Sequence, residues 1–393
     1  MPLDPTLLKE LLGRHPARRM AYDVLRKGLA RGVEARDILV SRDAGLELYA
    51  YSSTCQFEQH WDLFSLIARG LILDPAERRV VATPFPKFFN FNEGGIMLPD
   101  EPFEATAKID GSLGIVFHHR GQWRVTTRGQ LTSGQGKWAT DYLRGQVQCD
   151  ALTPGVTYLA EIVYPENRIV IPYDFAGLVL LGAYDEAGDE LPRPALQAVA
   201  QAAGLRITQA IAGSSFEQLL AIAGQLTRDE EGFVIRFQSG LRTKLKGEAY
   251  CRVHRLICNC TPLALWDAMM NVQDLDAMRP DLPEEMRGDF DTIRRLLEAR
   301  FAGLIEQVRT AHEQTRHAND KELGLIIQDP AAPLSDVQRK FLFACRKQNF
   351  LAAALLPGEW RQKAFRLIRP GGNRLPGYTP SNVMSRFEAE SGS

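Results

Sequence analysis

A single change of hydrophobic period, close to residue 255, constrains this chain more than any other feature. From about residue 44 the sequence is cut into short runs rich in Val, Ile, Leu and aromatics, among them GLELYAYSS, ARGLILD, RRVVATPF, LGIVFHH and WRVTTRG, separated by Gly, Pro and Asp turns. That texture predicts an antiparallel sheet rather than strand-helix-strand units, dominating to about residue 182 and returning between 231 and 255. Residues 5–31 show mixed three- and four-residue apolar spacing interrupted by Pro16, which predicts one or two short helices, and 191–227 read as helical with one strand near Leu205 to Ala210. After Arg255 alternation is gone: TPLALWDAMM, the stretch 283–316, LSDVQRKFLFACRKQNFLAAALL and GEWRQKAFRLI all keep helical spacing. The expected class is α+β, an antiparallel-sheet domain over residues 1–255 followed by an all-α domain over 256–393, with a loose tail after Pro370.

Composition sets the outer limits. A chain of 393 residues with 45% hydrophobic content can build two or three proper cores, which excludes a disordered tail or a disulfide-stapled miniprotein. With 47 Lys+Arg against 48 Asp+Glu, whole-chain charge offers nucleic acid no general attraction, so a polyanion must be met by a local patch. The six cysteines show no C-x-x-C pair, the N-terminus carries no secretory pattern, and the longest apolar runs fall well short of the roughly 20 residues a membrane span needs. The expectation is a cytoplasmic protein with no membrane association.

Chemistry concentrates in four short segments. The first is Lys108-Ile109-Asp110-Gly111-Ser112, between a polar turn and the strand-like LGIVFHH. A lysine freed of its proton by burial or neighbouring cations can attack phosphorus or carbonyl carbon, although K-x-D-G is equally an ordinary hairpin turn. The others are YLAEIV with Glu161, EEGFVI with Glu231, and LRTKLK with Lys244 and Lys246, each placing charge in an apolar strand where it needs a partner or a ligand. Lys244 and Lys246 are two apart and share one strand face, so an anion between them, such as phosphate, would relieve their repulsion.

In this order, K-x-D-G, an acidic strand, E-G-F-V-I and K-L-K resemble the motifs of the covalent lysine nucleotidyltransferases, which comprise DNA ligases, RNA ligases and mRNA capping enzymes. Arg69-Gly70, Lys87-Phe88-Phe89-Asn90, the PENRIVIPY stretch and Tyr250 to His254 narrow the resemblance to the T-even bacteriophage RNA ligase 1 family, over roughly residues 45 to 255. The resemblance implies an ATP-grasp-like nucleotidyltransferase domain and an ATP-dependent RNA ligase. Lys108 would take AMP from ATP, pass it to an RNA 5'-phosphate, and a 3'-hydroxyl would displace it, with Mg²⁺ (or Mn²⁺) assisting. By the same resemblance Lys244 and Lys246 serve the α-phosphate and the departing pyrophosphate and keep Lys108 partly neutral. Glu231 holds metal, and Glu161 contacts ribose or a metal-bound water. Gly111 and Gly232 allow close approach, and Arg69, Lys87, Phe89 and Arg128 serve the triphosphate, ribose or RNA end. Asp110 orients Lys108 or meets a second metal. Arg128 stands where the family commonly has lysine, and no aromatic is evident near Leu178 to Tyr184 to stack on adenine, leaving Val234 as an aliphatic wall. The implied role is repair of cleaved RNA such as tRNA, beside a separate end-healing enzyme. A DNA ligase, a guanylyltransferase or a non-catalytic RNA-binding protein on the same fold are the alternatives.

Three further features carry less. His118 and His119 point to opposite strand faces and cannot share a metal from one side. Cys251, Cys258 and Cys260 lack a fourth zinc ligand and read as buried thiols. Arg339, Lys340, Arg346, Lys347, Arg361, Lys363, Arg366, Arg369 and Arg374 are interleaved with Phe341, Phe343, Phe350, Trp360 and Phe365, which fits an RNA-binding surface and a solvated helix face equally well. No run of short strands follows Lys246, which argues against an OB-fold and hence against a DNA ligase or capping enzyme.

Overall fold

A computed structural model describes residues 5–91, 93, 98–212, 215–282, 284–348, 358–372 and 374–380. The strands are β1 (Ile38–Asp43), β2 (Leu46–Tyr51), β3 (Arg69–Asp74), β4 (Arg79–Ala82), β5 (Phe89–Asn90), β6 (Phe103–Ala107), β7 (Ser112–His119), β8 (Gln122–Thr127), β9 (Thr157–Val163), β10 (Gly177–Tyr184), β11 (Arg206–Ile207), β12 (Gly232–Phe237) and β13 (Arg242–Lys246). They form three sheets, ordered β1-β2-β3-β4, β11-β10-β9-β7-β8 and β5-β13-β12-β6. Pairing is antiparallel except for β10 with β11 and β13 with β5. The described residues divide into two compact units between His254 and Arg255.

Burial explains the layering of the first unit. Every residue of β2 is buried because both faces are covered: Leu46, Leu48 and Ala50 meet Ile115, Phe117 and Leu159 of the second sheet, while Tyr49 packs with Leu25 and Leu29 of the helix Tyr22–Glu34. The second sheet's other face is closed by the helices Gly134–Gln146 and Arg193–Ala203 around Tyr158, Ile162 and Leu180. The third sheet buries Phe233, Ile235 and Leu245 against the helix Phe216–Ala223. Its polar face, carrying Lys244 and Lys246, is left to the cavity described below.

Several expectations move. The helix Gly134–Gln146 lies inside the region read as strands, its three glycines and mixed polarity having hidden its period. Strand structure ends at Lys246, because the helix Glu248–Cys258 begins almost at once. The tail through Pro380 is packed rather than loose: Leu375 is buried and the Tyr378 hydroxyl donates to Asp289 at 2.8 Å. Beyond Arg255 every described element is helical, the longest being Glu284–Gln314, and no described helix is long and apolar enough to cross a membrane. His119 pairs with buried Asp74 at 3.1 Å whereas His118 lies edge-on to Trp123, the opposite orientations that strand geometry requires. Cys251 and Cys260 are free thiols, and the Cys258 side chain and Phe350 lie outside the described residues.

Candidate active site

The second and third sheets face each other across a cavity of about 630 Å³. Lys108 follows β6 at its edge. Its backbone N–H donates to the Gly232 carbonyl at 2.8 Å, and its ammonium lies 2.7 Å from one oxygen of buried Glu231, whose other oxygen is 2.9 Å from Lys246. One carboxylate therefore serves two lysines, which holds Glu231 below the ordinary carboxylate range although burial alone would raise it. Burial alone would lower the Lys108 pKa, but Glu231 and Glu161 overcome this and hold it above its ordinary value. The expectation of a partly neutral Lys108 is therefore corrected. The cations meant to depress it are outweighed by the acids around it, and the depressed lysine is Lys244, brought to about 7 by burial and by Lys87, Arg69, Lys108 and Lys246.

Glu161, on β9, is buried at the cavity wall and makes no hydrogen bond among the described residues; burial, with the like charges of Glu231 and Asp110, raises it to about 8. Asp110 does not point into the cavity. One of its oxygens accepts from the Val170 and Ile171 N–H groups at 2.8 and 2.9 Å, and the other accepts from the Tyr250 hydroxyl at 2.8 Å. With its carboxylate committed in this way, a second-metal role for Asp110 is corrected. Gly111 lines the cavity, but its glycine requirement comes from the protein: a Cβ there would sit 2.6 Å from the Ile162 carbonyl oxygen. Gly232 has φ +139° and a Cβ would collide with the Leu245 carbonyl, so only glycine lets β12 turn past β13 beside Glu231.

The far side of the site is different in character. Arg69 stands over Phe88 (5.1 Å to the ring centre), Arg128 over Tyr51 (4.7 Å), Lys244 over Phe88 (5.6 Å), and the Lys87 ammonium lies among Tyr51, Trp61 and Phe89 at 5.1–5.3 Å. Arg69, Lys87 and Lys244 make no ion pair with a carboxylate among the described residues, and one Arg69 Nη is buried without a hydrogen-bond partner. Burial lowers the Lys87 and Arg69 pKa values, and the same cations pull the Tyr51 phenol below its ordinary value against its own burial. Aromatic faces hold Arg69, Lys87 and Lys244 without a carboxylate in ion-pair contact among the described residues, which leaves room for a polyanionic ligand.

Of the residues expected at the site, Arg69, Lys108, Gly111, Arg128, Glu161, Val234, Lys244 and Lys246 line this cavity. Glu231, Gly232 and Asp110 support it from behind, and Lys87 and Phe89 line a smaller neighbouring cavity instead. Phe88, not Phe89, faces the main cavity, an exchange legible only once strand orientation is known. Tyr51 and Trp61 were missed because aromatics in an apolar strand and loop look like core. No aromatic reaches the cavity from β10: Tyr184 is turned away, and Leu181 faces Val234 across the space.

A cleft between two largely antiparallel sheets, with K-x-D-G at its edge and E-G and K-x-K strands forming one wall, is the arrangement that the resemblance to the nucleotidyltransferases implies. Residues 67–250 match the family model described as RNA ligase. An RNA ligase of Rhodothermus phage RM378 is 22% identical over 356 residues, 69% of this chain and 79% of the phage protein. A putative bifunctional polynucleotide kinase/RNA ligase of Autographa californica nuclear polyhedrosis virus is 27% identical over 217 residues, 48% of this chain but only 30% of the viral protein. Among solved structures, an archaeal ATP-dependent RNA ligase superposes with a TM-score of 0.49 at 13% identity, covering 72% of this chain and 83% of that one.

Proposed function

We propose that this chain is an ATP-dependent RNA ligase that seals RNA 5'-phosphate and 3'-hydroxyl ends through an AMP carried on Lys108. The observation that carries the proposal is the adjacency of Lys108, clamped by acids, to Arg69, Lys87 and Lys244, which are backed by aromatic rings and make no ion pair with a carboxylate among the described residues. That arrangement places a nucleophile beside a seat for phosphates. In the first step Lys108 passes a proton to the Glu231 carboxylate hydrogen-bonded to it, and its nitrogen forms the P–N bond as the bond from the α-phosphorus to the pyrophosphate oxygen breaks and pyrophosphate leaves. AMP then passes to the RNA 5'-phosphate, and the 3'-hydroxyl displaces it. Lys244, Arg69 and Lys87 meet phosphate charge, Lys246 balances Glu231, and Leu181 and Val234 form the apolar walls available to a base.

Among the described residues no three acidic, histidine or cysteine side chains cage a metal by themselves. The donor set nevertheless fits Mg²⁺ or Mn²⁺, which are held by one or two carboxylates together with substrate phosphates: Glu161 makes no hydrogen bond among the described residues and is raised to about 8 by burial and by the like charges of Glu231 and Asp110, so a cation beside it would favour its ionised form. When bound there, the ion would supply charge neutralisation at the phosphates. Glu231 can ligate directly only by releasing Lys108 or Lys246. The kinase/ligase name of the viral relative supports an end-healing activity acting on the same RNA. Repair of tRNA remains the substrate reading that the family resemblance favours.

The test is incubation with α-labelled ATP, and separately GTP, with Mg²⁺, followed by a denaturing gel. Wild-type protein, stripped beforehand with pyrophosphate, is expected to take label from ATP and Lys108→Ala none. Label from GTP alone would point to a guanylyltransferase, and label from neither to a binding protein on this fold.

A further inference from the structure

We propose that the segment 165–175 is a rigid strap that positions the nucleophile, with Tyr173 and Asn167 as positioning residues; the proposal rests on the ligase reading above. Neither side chain lines the cavity. Each instead holds the K-x-D-G-S loop from behind. The Asp110 N–H donates to the Tyr173 hydroxyl at 2.9 Å. The Ser112 hydroxyl donates to Asn167 Oδ1 at 3.1 Å, and the Asn167 amide donates to the Ile162 carbonyl at 2.8 Å, tying the loop to β9 beside Glu161. The strap's own Val170 and Ile171 N–H groups hold the Asp110 carboxylate.

Lys108 is therefore fixed on both sides. Its own N–H is bonded to Gly232, and the residues two and four positions on are bonded to the strap. Such an arrangement sets where the lysine nitrogen sits relative to an incoming phosphate without touching the nucleotide. A misplacement of about 1 Å in a displacement reaction can cost on the order of a hundredfold in rate while leaving ground-state binding intact. Lys108 is needed to take up AMP but not to join an RNA already carrying AMP on its 5'-phosphate, so the strap should matter for the first process and not the second.

The experiment compares wild type, Tyr173→Phe and Asn167→Ala in two assays. One is the single-turnover rate of labelling from α-labelled ATP across ATP concentrations. The other is ATP-free joining of chemically pre-adenylated RNA to a 3'-hydroxyl strand. Tyr173→Phe keeps the ring and its contact with Phe175 and loses only the acceptor oxygen. Both variants are expected to label about ten- to a hundredfold more slowly at saturating ATP, with an unchanged half-saturating concentration and near wild-type joining of pre-adenylated RNA. Equal losses in both assays would reduce the strap to ordinary fold support, and labelling at the wild-type rate would remove its role altogether. A wild-type protein that takes no label from ATP overturns the ligase reading and this proposal with it.

Discussion

The two halves of the cavity treat lysine in opposite ways. Around Lys108 and Lys246 a single buried carboxylate answers two ammonium groups, with Glu161 close by. Around Lys244, on the same strand face, the neighbours are Arg69, Lys87 and aromatic rings, and no carboxylate among the described residues pairs with it. The first half is balanced as it stands and the second is incomplete. A folded protein tolerates uncompensated buried charge at a cost in stability, and it does so where a ligand supplies the counter-charge.

The sharpest test of this contrast is the sign of two stability changes. Glu231→Gln strands two lysines and should destabilise the fold by about 3 kcal/mol. Lys244→Met should stabilise it. The Lys244 pKa in the folded state lies at about 7, below its value in the unfolded chain, so folding expels a proton. The resulting penalty is absent at high pH, grows as pH falls from the unfolded pKa, and is complete below about 7. The gain from Lys244→Met should therefore be larger at pH 6 than at pH 9 in denaturant unfolding. A Lys244→Met protein less stable than wild type at both pH values would break the comparison. Neither variant should label from ATP.

Ligand binding should reverse the depression. A phosphate anion raises the Lys244 pKa, so binding takes up a proton and affinity falls as pH rises through about 7. Arginine at this position stays charged throughout. Between pH 6 and 8 the affinity of wild type for pyrophosphate should thus fall about tenfold more than that of Lys244→Arg, a difference that isolates this residue from the titration of Glu161 and of the ligand itself. Parallel pH profiles would mean that Lys244 does not meet the phosphates.

How much of this was legible in the sequence follows from which interactions are local. The antiparallel texture, the helical spacing after Arg255 and the shared face of Lys244 and Lys246 depend on residues close in the chain and could be read, whereas the change from strand to helix falls between Lys246 and Glu248 rather than near 255. The pairing of Glu231 with Lys108 joins positions far apart, and the balance between them sets the charge of both, so the direction of the Lys108 shift was read wrongly. Asp110 could be singled out as a motif residue, but its hydrogen bonds to Val170, Ile171 and Tyr250 exist only in the fold. Tyr51 and Trp61 were hidden because an aromatic beneath a cation has the same sequence pattern as an aromatic in a core.

The same distinction between answered and unanswered charge sorts the C-terminal cations, which in sequence fit an RNA-binding surface and a solvated helix face equally well. Arg339 donates to the Ile327, Ala332 and Leu334 carbonyls, Arg346 donates to the Ala318 carbonyl and pairs with Asp320, and Arg361 donates to the Met269 carbonyl at 2.8 Å while lying over Phe301 and Phe365. Phe341 and Phe365 are fully buried, so they serve the core rather than a stacking surface. Arg361→Met should then cost about 1–2 kcal/mol, because it unties a partly buried guanidinium from a helix end. Lys340 and Lys347 are exposed, and replacing both with Ala should change stability by less than about 0.5 kcal/mol. If this surface does meet RNA phosphates, the double substitution should lower the slope of log affinity against log salt by about 1.4, at roughly 0.7 per contact on a single strand. An unchanged slope would leave these two lysines as a solvated helix face, with the aromatic-backed cations of the sheet unit as the protein's phosphate-binding surface.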